Sequence, residues 1–328
     1  MKAILRAALL VTLACPGCGA GWERARSLEA MPAAERTKAD RVVRHARDAV
    51  VELQGLFERG SGVVISPDGL LLTAAHVELA SVVAGRFANG REFMAHLLAA
   101  NSTADWALYR ITGAHDLPFL RLAERPAAGQ RAIVLGYSAG EAEPNVSAGT
   151  IQATALNVPA SFVEDAPGCF QSVIAHDAPS FPGDSGGAVL DLEGRLIGIT
   201  SACGLDGLAI AIPAWRFAGA AERLRDDASW KAVSERIERR VRAGVPRHAA
   251  VLEAMGVDDP SPAPEGEARI PWILTGLAEM AREQGVPPDS IGSTRETVER
   301  QAIARLRGGE SEKTVLRWAW LEFLERCR

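Results

Sequence analysis

The chain has 328 residues, 48% hydrophobic and 23% charged, with a formal net charge of −5. That composition supplies more than one apolar core, and the mildly acidic balance gives no reason to expect a nucleic-acid partner. Five cysteines without a CxxC…CxxC pattern exclude a disulfide-rich scaffold and a zinc ribbon.

The N-terminus reads "MKAILRAALLVTLACPGCGAG". Lys2 and Arg6 give it a basic start, and the apolar run that follows is well short of the roughly 20 residues that span a bilayer. Residues 1–20 therefore read as an export signal, and no other segment is long and apolar enough to cross a membrane. Two processing readings stand: a cut after Ala20, or a lipid on Cys15 that tethers the protein to a membrane. Residues 21–48 are charged and alanine-rich and read as a helical or disordered spacer. Pro32 is placed to start a helix, with Val42, Val43 and Ala46 at helical spacing.

From Ala49 the pattern changes to short β-branched and apolar runs broken by turns. "GSGVVISPDGLLLTAAH" predicts two strands joined at "SPDG". "VVELQ", "VVAGRF", "EFMAHLLAAN", "WALYRI", "RAIVLGY", "GTIQATAL", "FQSVIA", "GAVLDL", "RLIGITSA" and "LAIAIP" add further strands. Many short strands with no helical crossover predict an all-β arrangement over residues 49–217. That length suits two barrels, with a bridge near 120–130. Residues 218–328 are rich in helix formers: Trp230, Val233, Ile237 and Val241 recur at helical spacing, "GVDDPSPAPEGEAR" is a proline-rich break, and Gly308-Gly309 ends a helix. These residues predict a small all-α unit of unknown role.

Hydrolysis of an amide at neutral pH needs an activated nucleophile, a base, a group to orient that base, and donors for the developing oxyanion. The β region contains candidates for each. His76 ends the apolar run "LLLTAAHV", Asp105 precedes the strand "WALYRI", and Ser185 lies in "PGDSGGAV". Taken singly, each has an ordinary structural role: a strand-end histidine, a turn aspartate and a turn serine. Taken together, "TAAH", "DWAL" and "GDSGG" resemble the three active-site blocks of the trypsin/chymotrypsin superfamily, in the same order. The intervals of 29 and 80 residues between them are compact and resemble the bacterial HtrA/Deg-type proteases. "GSGVVISPDGLLLTAAHV", "VSAGTIQA" and "HDAPSFPGDSGGAVLDLEGRLIGITSA" extend that resemblance over about half the chain.

The resemblance implies a chymotrypsin-like double β-barrel followed here by the all-α unit. It implies an exported serine endopeptidase that acts on polypeptides through an acyl-enzyme, without cofactor or metal. Ser185 would be the nucleophile, His76 the general acid-base and Asp105 the orienting carboxylate. The oxyanion hole would lie at Gly183, Asp184 and Ser185, where glycine lets the backbone adopt a conformation a Cβ would penalise. The specificity pocket would be lined by Pro179, Phe181, Thr200, Ser201 and Leu208. The absence of a carboxylate there implies cleavage after small or medium apolar residues. A catalytically silent relative that binds polypeptide or a partner protein is the alternative.

The chain departs from the pattern in three ways. Asp184 stands where HtrA enzymes usually have Asn, and no "IVGG" start is present to pair with it, so Asp184 needs another partner or stays solvated. The tail has no recognisable PDZ pattern. The family's trimerisation elements are not identifiable, which leaves the oligomeric state open. Cys169 and Cys203 flank the nucleophile and read equally as a disulfide bracing the pocket loops or as two separate thiols; Cys327 has no partner. His176 reads as a solvated loop residue. The Asn101 and Asn145 triplets match a glycosylation sequon that would be silent in a bacterium, and Trp230, Trp272, Trp318 and Trp320 read as core.

Overall fold

The computed structural model describes residues 28, 31–54, 59–77, 80–138, 143–158, 170–203, 208–259 and 264–327. The export segment, Cys15 and Cys169 lie outside the described residues, as does the side chain of Cys203. Helix α1 (Ala33–Ala46) follows directly on Pro32 and buries Ala39, Val42 and Ala46.

The first barrel comprises β1 (Val50–Gln54), β2 (Arg59–Val64), β3 (Leu70–Thr73), β4 (Val82–Phe87), β5 (Glu92–Asn101) and β6 (Trp106–Ile111). They close antiparallel in the order β1-β2-β3-β6-β5-β4. The expected "SPDG" hairpin is present: Ile65 N–H meets Leu70 O at 2.8 Å, and Gly69 takes φ +88°, a conformation that suits glycine. Val51, Leu53, Val64, Leu71, Val83, Phe87, Phe93, Ala107 and Tyr109 cluster together. That set draws on all six strands, which identifies it as the barrel interior.

The second barrel comprises β7 (Arg131–Gly136), β8 (Asn145–Val158), β9 (Phe170–His176), β10 (Ala188–Leu190), β11 (Leu196–Cys203) and β12 (Ala209–Pro213). Its closed order is β10-β11-β12-β9-β8-β7. Ala132, Val134, Ile151, Ile174, Val189, Ile197 and Ala211 form its interior, again one or more from every strand. The bridge is stitched to both barrels: Leu120 N–H donates to Val64 O at 2.9 Å and Ala123 N–H to Leu196 O at 2.8 Å.

A 3₁₀ turn (Ala214–Phe217) leads into α2 (Ala218–Arg223), α3 (Asp227–Arg242), α4 (Arg247–Met255), α5 (Arg269–Glu283), α6 (Pro288–Arg307) and α7 (Glu312–Arg326). The helix-forming run after Trp215 divides at Asp226. Its side chain accepts from Ser229 N–H in a reciprocal capping box that starts α3. Helix α6 ends at Arg307, directly before Gly308-Gly309.

These helices do not form a separate ball. Leu274, Leu277, Val298, Leu316 and Phe323 share one apolar cluster with the outward faces of both barrels, including Val63, Leu72, Trp106, Leu156 and Val173. Helix α5 lies on β8, where Asn157 Nδ2 donates to Trp272 O at 2.9 Å. A Cβ on Gly276 would stand 2.5 Å from Asn157 N, so only glycine allows that approach. Helix α3 reaches the first barrel through Trp230, whose indole N–H donates to Asp68 and whose ring lies under the Arg110 guanidinium at 4.1 Å. Trp230 and Trp320 are buried core, as expected, with Trp272 and Trp318 packed at its edge.

Candidate active site

The first barrel brings His76 and Asp105 together. His76 lies in the turn that follows β3, and Asp105 ends the turn that precedes β6, the strand paired with β3. His76 Nδ1 stands 2.9 and 3.0 Å from the two carboxylate oxygens of Asp105. The backbone N–H of His76 also donates to Asp105 Oδ1 at 2.9 Å. Asp105 is fully buried, whereas the His76 side chain keeps 27% of its surface open. A buried carboxylate needs hydrogen bonds to offset lost hydration, and the imidazole supplies part of that. Two bonds from one residue also fix both the backbone and the ring, so the carboxylate orients the imidazole.

Asp105 adopts φ +56°, a left-handed conformation uncommon outside glycine but tolerated by Asp. The turn is supported from its start. Asn101 Oδ1 accepts from Thr103 N–H and Ala104 N–H, both at 2.9 Å.

The second barrel presents Ser185 at the turn before β10. Gly183 has φ +97° and Gly186 φ +81°. A Cβ on Gly186 would lie 2.1 Å from Ser61 O, so this corner is pressed directly against β2 of the first barrel. Ser61 holds it on both sides of Asp184: its N–H donates to Ser185 O at 2.8 Å and its hydroxyl to Gly183 O at 2.8 Å. The same hydroxyl accepts from Tyr137 N–H at 2.7 Å. With these carbonyls engaged by Ser61, the Gly183 and Ser185 N–H groups have no hydrogen-bond partner among the described residues.

Ser201 joins the two barrels' contributions. Its hydroxyl donates to Asp105 Oδ2, and its carbonyl accepts from Ser185 Oγ at 3.4 Å. Ser185, Ser201, Asp105 and His76 thus form one connected polar chain. Ser201 is expected on sequence as a pocket wall; in the fold its side chain is directed to the carboxylate. Sequence reasoning missed this, together with Ser61 and Asn101. The "GSG" within β2 is the available signal for Ser61, since a serine between two glycines in a strand marks a close backbone approach.

Of the other expected pocket residues, Pro179 O accepts from Ser147 Oγ at 2.5 Å, and Thr200 O accepts from Gly186 N–H at 2.7 Å. Phe181 closes the nucleophile turn: its carbonyl accepts from Asp184 N–H at 2.9 Å. Leu208 is half-buried at the start of β12.

Asp184 has found its partners. Oδ2 accepts from Phe181 N–H at 2.9 Å and Oδ1 from Ser138 Oγ at 3.0 Å, with a further hydrogen bond from the Asn145 side chain. All are neutral donors. Burial therefore dominates and pushes the Asp184 carboxyl up to about 6, with the hydrogen bonds opposing. Asn145 is thus engaged in the fold rather than displayed as a sequon, and so is Asn101.

The reading of His176 as a solvated loop residue is corrected. It is the last residue of β9, paired with Ala209 and Ile151, and is fully buried. It lies on the same strand face as Ile174, and burial lowers its imidazole to about 4. Among the described residues no cluster of His, Cys, Asp or Glu could hold a metal ion.

Residues 60–199, a span containing all three candidate residues, match the family model described as a trypsin-like peptidase domain. Over those residues the double barrel is similar to a trypsin-like peptidase domain. Among curated proteins, the chain is 34% identical over 178 residues to a "Probable periplasmic serine endoprotease DegP-like" of Halomonas elongata. It is 31% identical over 176 residues to the protein of the same description from Marinomonas sp.. These alignments cover 52% and 51% of this chain and 36% of each relative, so the chain spans about a third of those proteins' length. The solved serine endoprotease from Yersinia pestis is 28% identical, with 58% of this chain and 67% of that chain covered, at a TM-score of 0.48.

Proposed function

We propose that the protein is an exported serine endopeptidase that cleaves polypeptides through an acyl-enzyme. The observation that carries this reading is the buried Asp105 carboxylate gripping His76 by ring and backbone, with Ser201 linking it to Ser185. In the proposed reaction His76 Nε2 takes the Ser185 proton as Oγ attacks the carbonyl carbon. Asp105 stabilises the imidazolium that results. The oxyanion is received by the N–H groups of Gly183 and Ser185, either side of Asp184. His76 then returns the proton to the leaving amine, and water repeats the sequence to release the acyl group.

In this reading the specificity pocket would be lined by Pro179, Phe181, Thr200, Ser201 and Leu208, none of them a carboxylate, while Asp184 accepts from Phe181 N–H. A small or medium apolar residue before the scissile bond fits that lining. Export rests on the N-terminal segment, with Cys15 as the residue that would carry a lipid; the periplasmic descriptions of the relatives accord with it.

A second reading, a protease-like module that binds polypeptide without cleaving it, draws on one observation: the Ser185 hydroxyl donates to the Ser201 carbonyl. Fluorophosphonate labelling separates the two. Covalent labelling of the wild type that is lost in Ser185→Ala is the expected result. A wild type that never labels, on a folded sample, sinks the enzyme reading in favour of the binding module.

A further inference from the structure

The C-terminal helices touch the candidate site at one residue that no sequence motif marks. Asp259, in the segment after α4, accepts from Asn101 Nδ2 with both carboxylate oxygens at 3.0 Å, and from Trp106 Nε1 with Oδ1 at 3.0 Å. Asn101 and Trp106 bracket Asp105: one begins its turn, the other follows it directly. Asn101 Oδ1 is the acceptor that shapes the turn, and Asn101 Nδ2 is held by Asp259. Trp106 is fully buried and meets Phe217 edge-on at 5.3 Å.

The carboxylate is itself anchored. The neighbouring Asp258 N–H donates to Arg216 O at 2.9 Å. Arg216 is a buried cation that interacts electrostatically with Asp258 and Asp259, and His248 Nε2 stands 3.9 Å from Asp259 Oδ2.

We infer that Asp259 is a positioning residue: by clamping Asn101 and Trp106 it holds the left-handed turn that aims the Asp105 carboxylate at His76. The inference rests on the proposed triad for its link to rate, but not for its structural content. The turn is where such support matters. Asp105 sits in a left-handed conformation, φ +56°, that persists where its surroundings enforce it. A shift of about 1 Å in its carboxylate would loosen both bonds to His76 and the bond from Ser201.

In this arrangement the tail does more than cover apolar surface. It supplies the only hydrogen-bond acceptor, among the described residues, for the Trp106 indole and for the Asn101 amide. Its docking is therefore read out at the acid of the triad.

The experiment uses the full chain and three variants. Asp259→Ala removes the acceptor, Asp259→Asn keeps an acceptor oxygen of the same reach, and Trp230→Phe weakens tail docking at Asp68, away from Asp105. Two readouts are taken: kcat and KM on a peptide ester, and the downfield proton NMR signal of His76 Nδ1–H bonded to Asp105. The expected result is a kcat about tenfold or more below wild type for Asp259→Ala with KM within twofold, and a lost or shifted His76 signal. Asp259→Asn is expected to recover to within about threefold, and Trp230→Phe to lower thermal stability while leaving kcat and the signal in place.

An unchanged His76 signal in Asp259→Ala overturns the inference. So does a kcat loss that Trp230→Phe reproduces in full. Because the NMR signal is read whether or not the wild type turns over substrate, an inert wild type overturns the proposed function without deciding the clamp.

Discussion

The two barrels share a topology and differ in how they treat buried charge. The first has a bulky interior of Leu, Phe and Tyr, and two of its three buried acids are held by ionisable partners. Asp105 is paired with His76, Glu52 with Arg59 and Arg86, and Asp68 with the Trp230 indole. The second has a small-residue interior of Ala, Val and Ile; beside the buried Asp191, paired with Arg195, it buries two ionisable groups that form no salt bridge among the described residues. Asp184 has neutral donors alone, and at His176 burial outweighs the opposing charge of the adjacent Asp177. The difference separates two tasks. The first barrel fixes the His76–Asp105 pair, and the second holds the corner that carries Ser185 on hydrogen bonds whose strength depends on pH.

The largest test of that contrast lies in the first barrel. Asp105→Asn preserves shape but removes the charge and favours the wrong imidazole tautomer. We expect a fall in kcat of about 10⁴ at neutral pH, read by ester hydrolysis, with KM little changed. A loss under tenfold would mean that the pairing is structural rather than catalytic.

Next come the opposed pH effects of the second barrel. The Asp184 carboxyl is raised from 3.8 to about 6, so the folded state holds its proton more tightly than the unfolded state does. Its stabilising contribution is complete below 3.8 and is lost as pH rises through about 6. The His176 imidazole is lowered from 6.5 to about 4, so the unfolded chain is the better proton acceptor. Its contribution is complete above 6.5 and is lost as pH falls towards 4. Each effect amounts to about 3 kcal/mol at full extent. Between pH 6 and 4 they nearly cancel in the wild type. Asp184→Asn removes one arm, so urea unfolding should show a protein more stable at pH 7 and distinctly more acid-labile than wild type. Parallel pH–stability curves for the two proteins would refute the assignment.

The smallest effect concerns Tyr137, just after β7. Its hydroxyl is buried without a partner among the described residues, and burial raises its pKa. Tyr137→Phe removes an unsatisfied polar atom and should stabilise the fold by about 1 kcal/mol. A destabilisation of that size in thermal melts would show that the hydroxyl has a role.

The legible parts of this molecule are those written in consecutive residues. Strands β1 to β12 follow short apolar runs, and "SPDG" and Gly308-Gly309 act as local punctuation. "TAAH", "DWAL" and "GDSGG" carry their geometry in turns of a few residues, so His76, Asp105 and Ser185 could be picked out before any coordinates. What escaped was chemistry between distant positions. Asp259 lies 158 residues from Asn101 and 153 from Trp106, and nothing in "GVDDPSPAP" sets it apart from a solvated acidic loop. Ser201 escaped because a strand serine near a pocket has two faces, and the alternation that decides between them shifts at a bulge between Thr200 and Ala202. His176 escaped for a simpler reason: "FQSVIA" was ended one residue early, although the histidine keeps step with Ile174.

Ser61 gives the molecule a mechanical property. It belongs to the half that bears the imidazole, yet it grips the chain on the other half at Ser185 and two residues before it. The seam between the halves therefore behaves as a riveted joint rather than a hinge. Any slip of one half against the other is delivered first to the Ser185 turn.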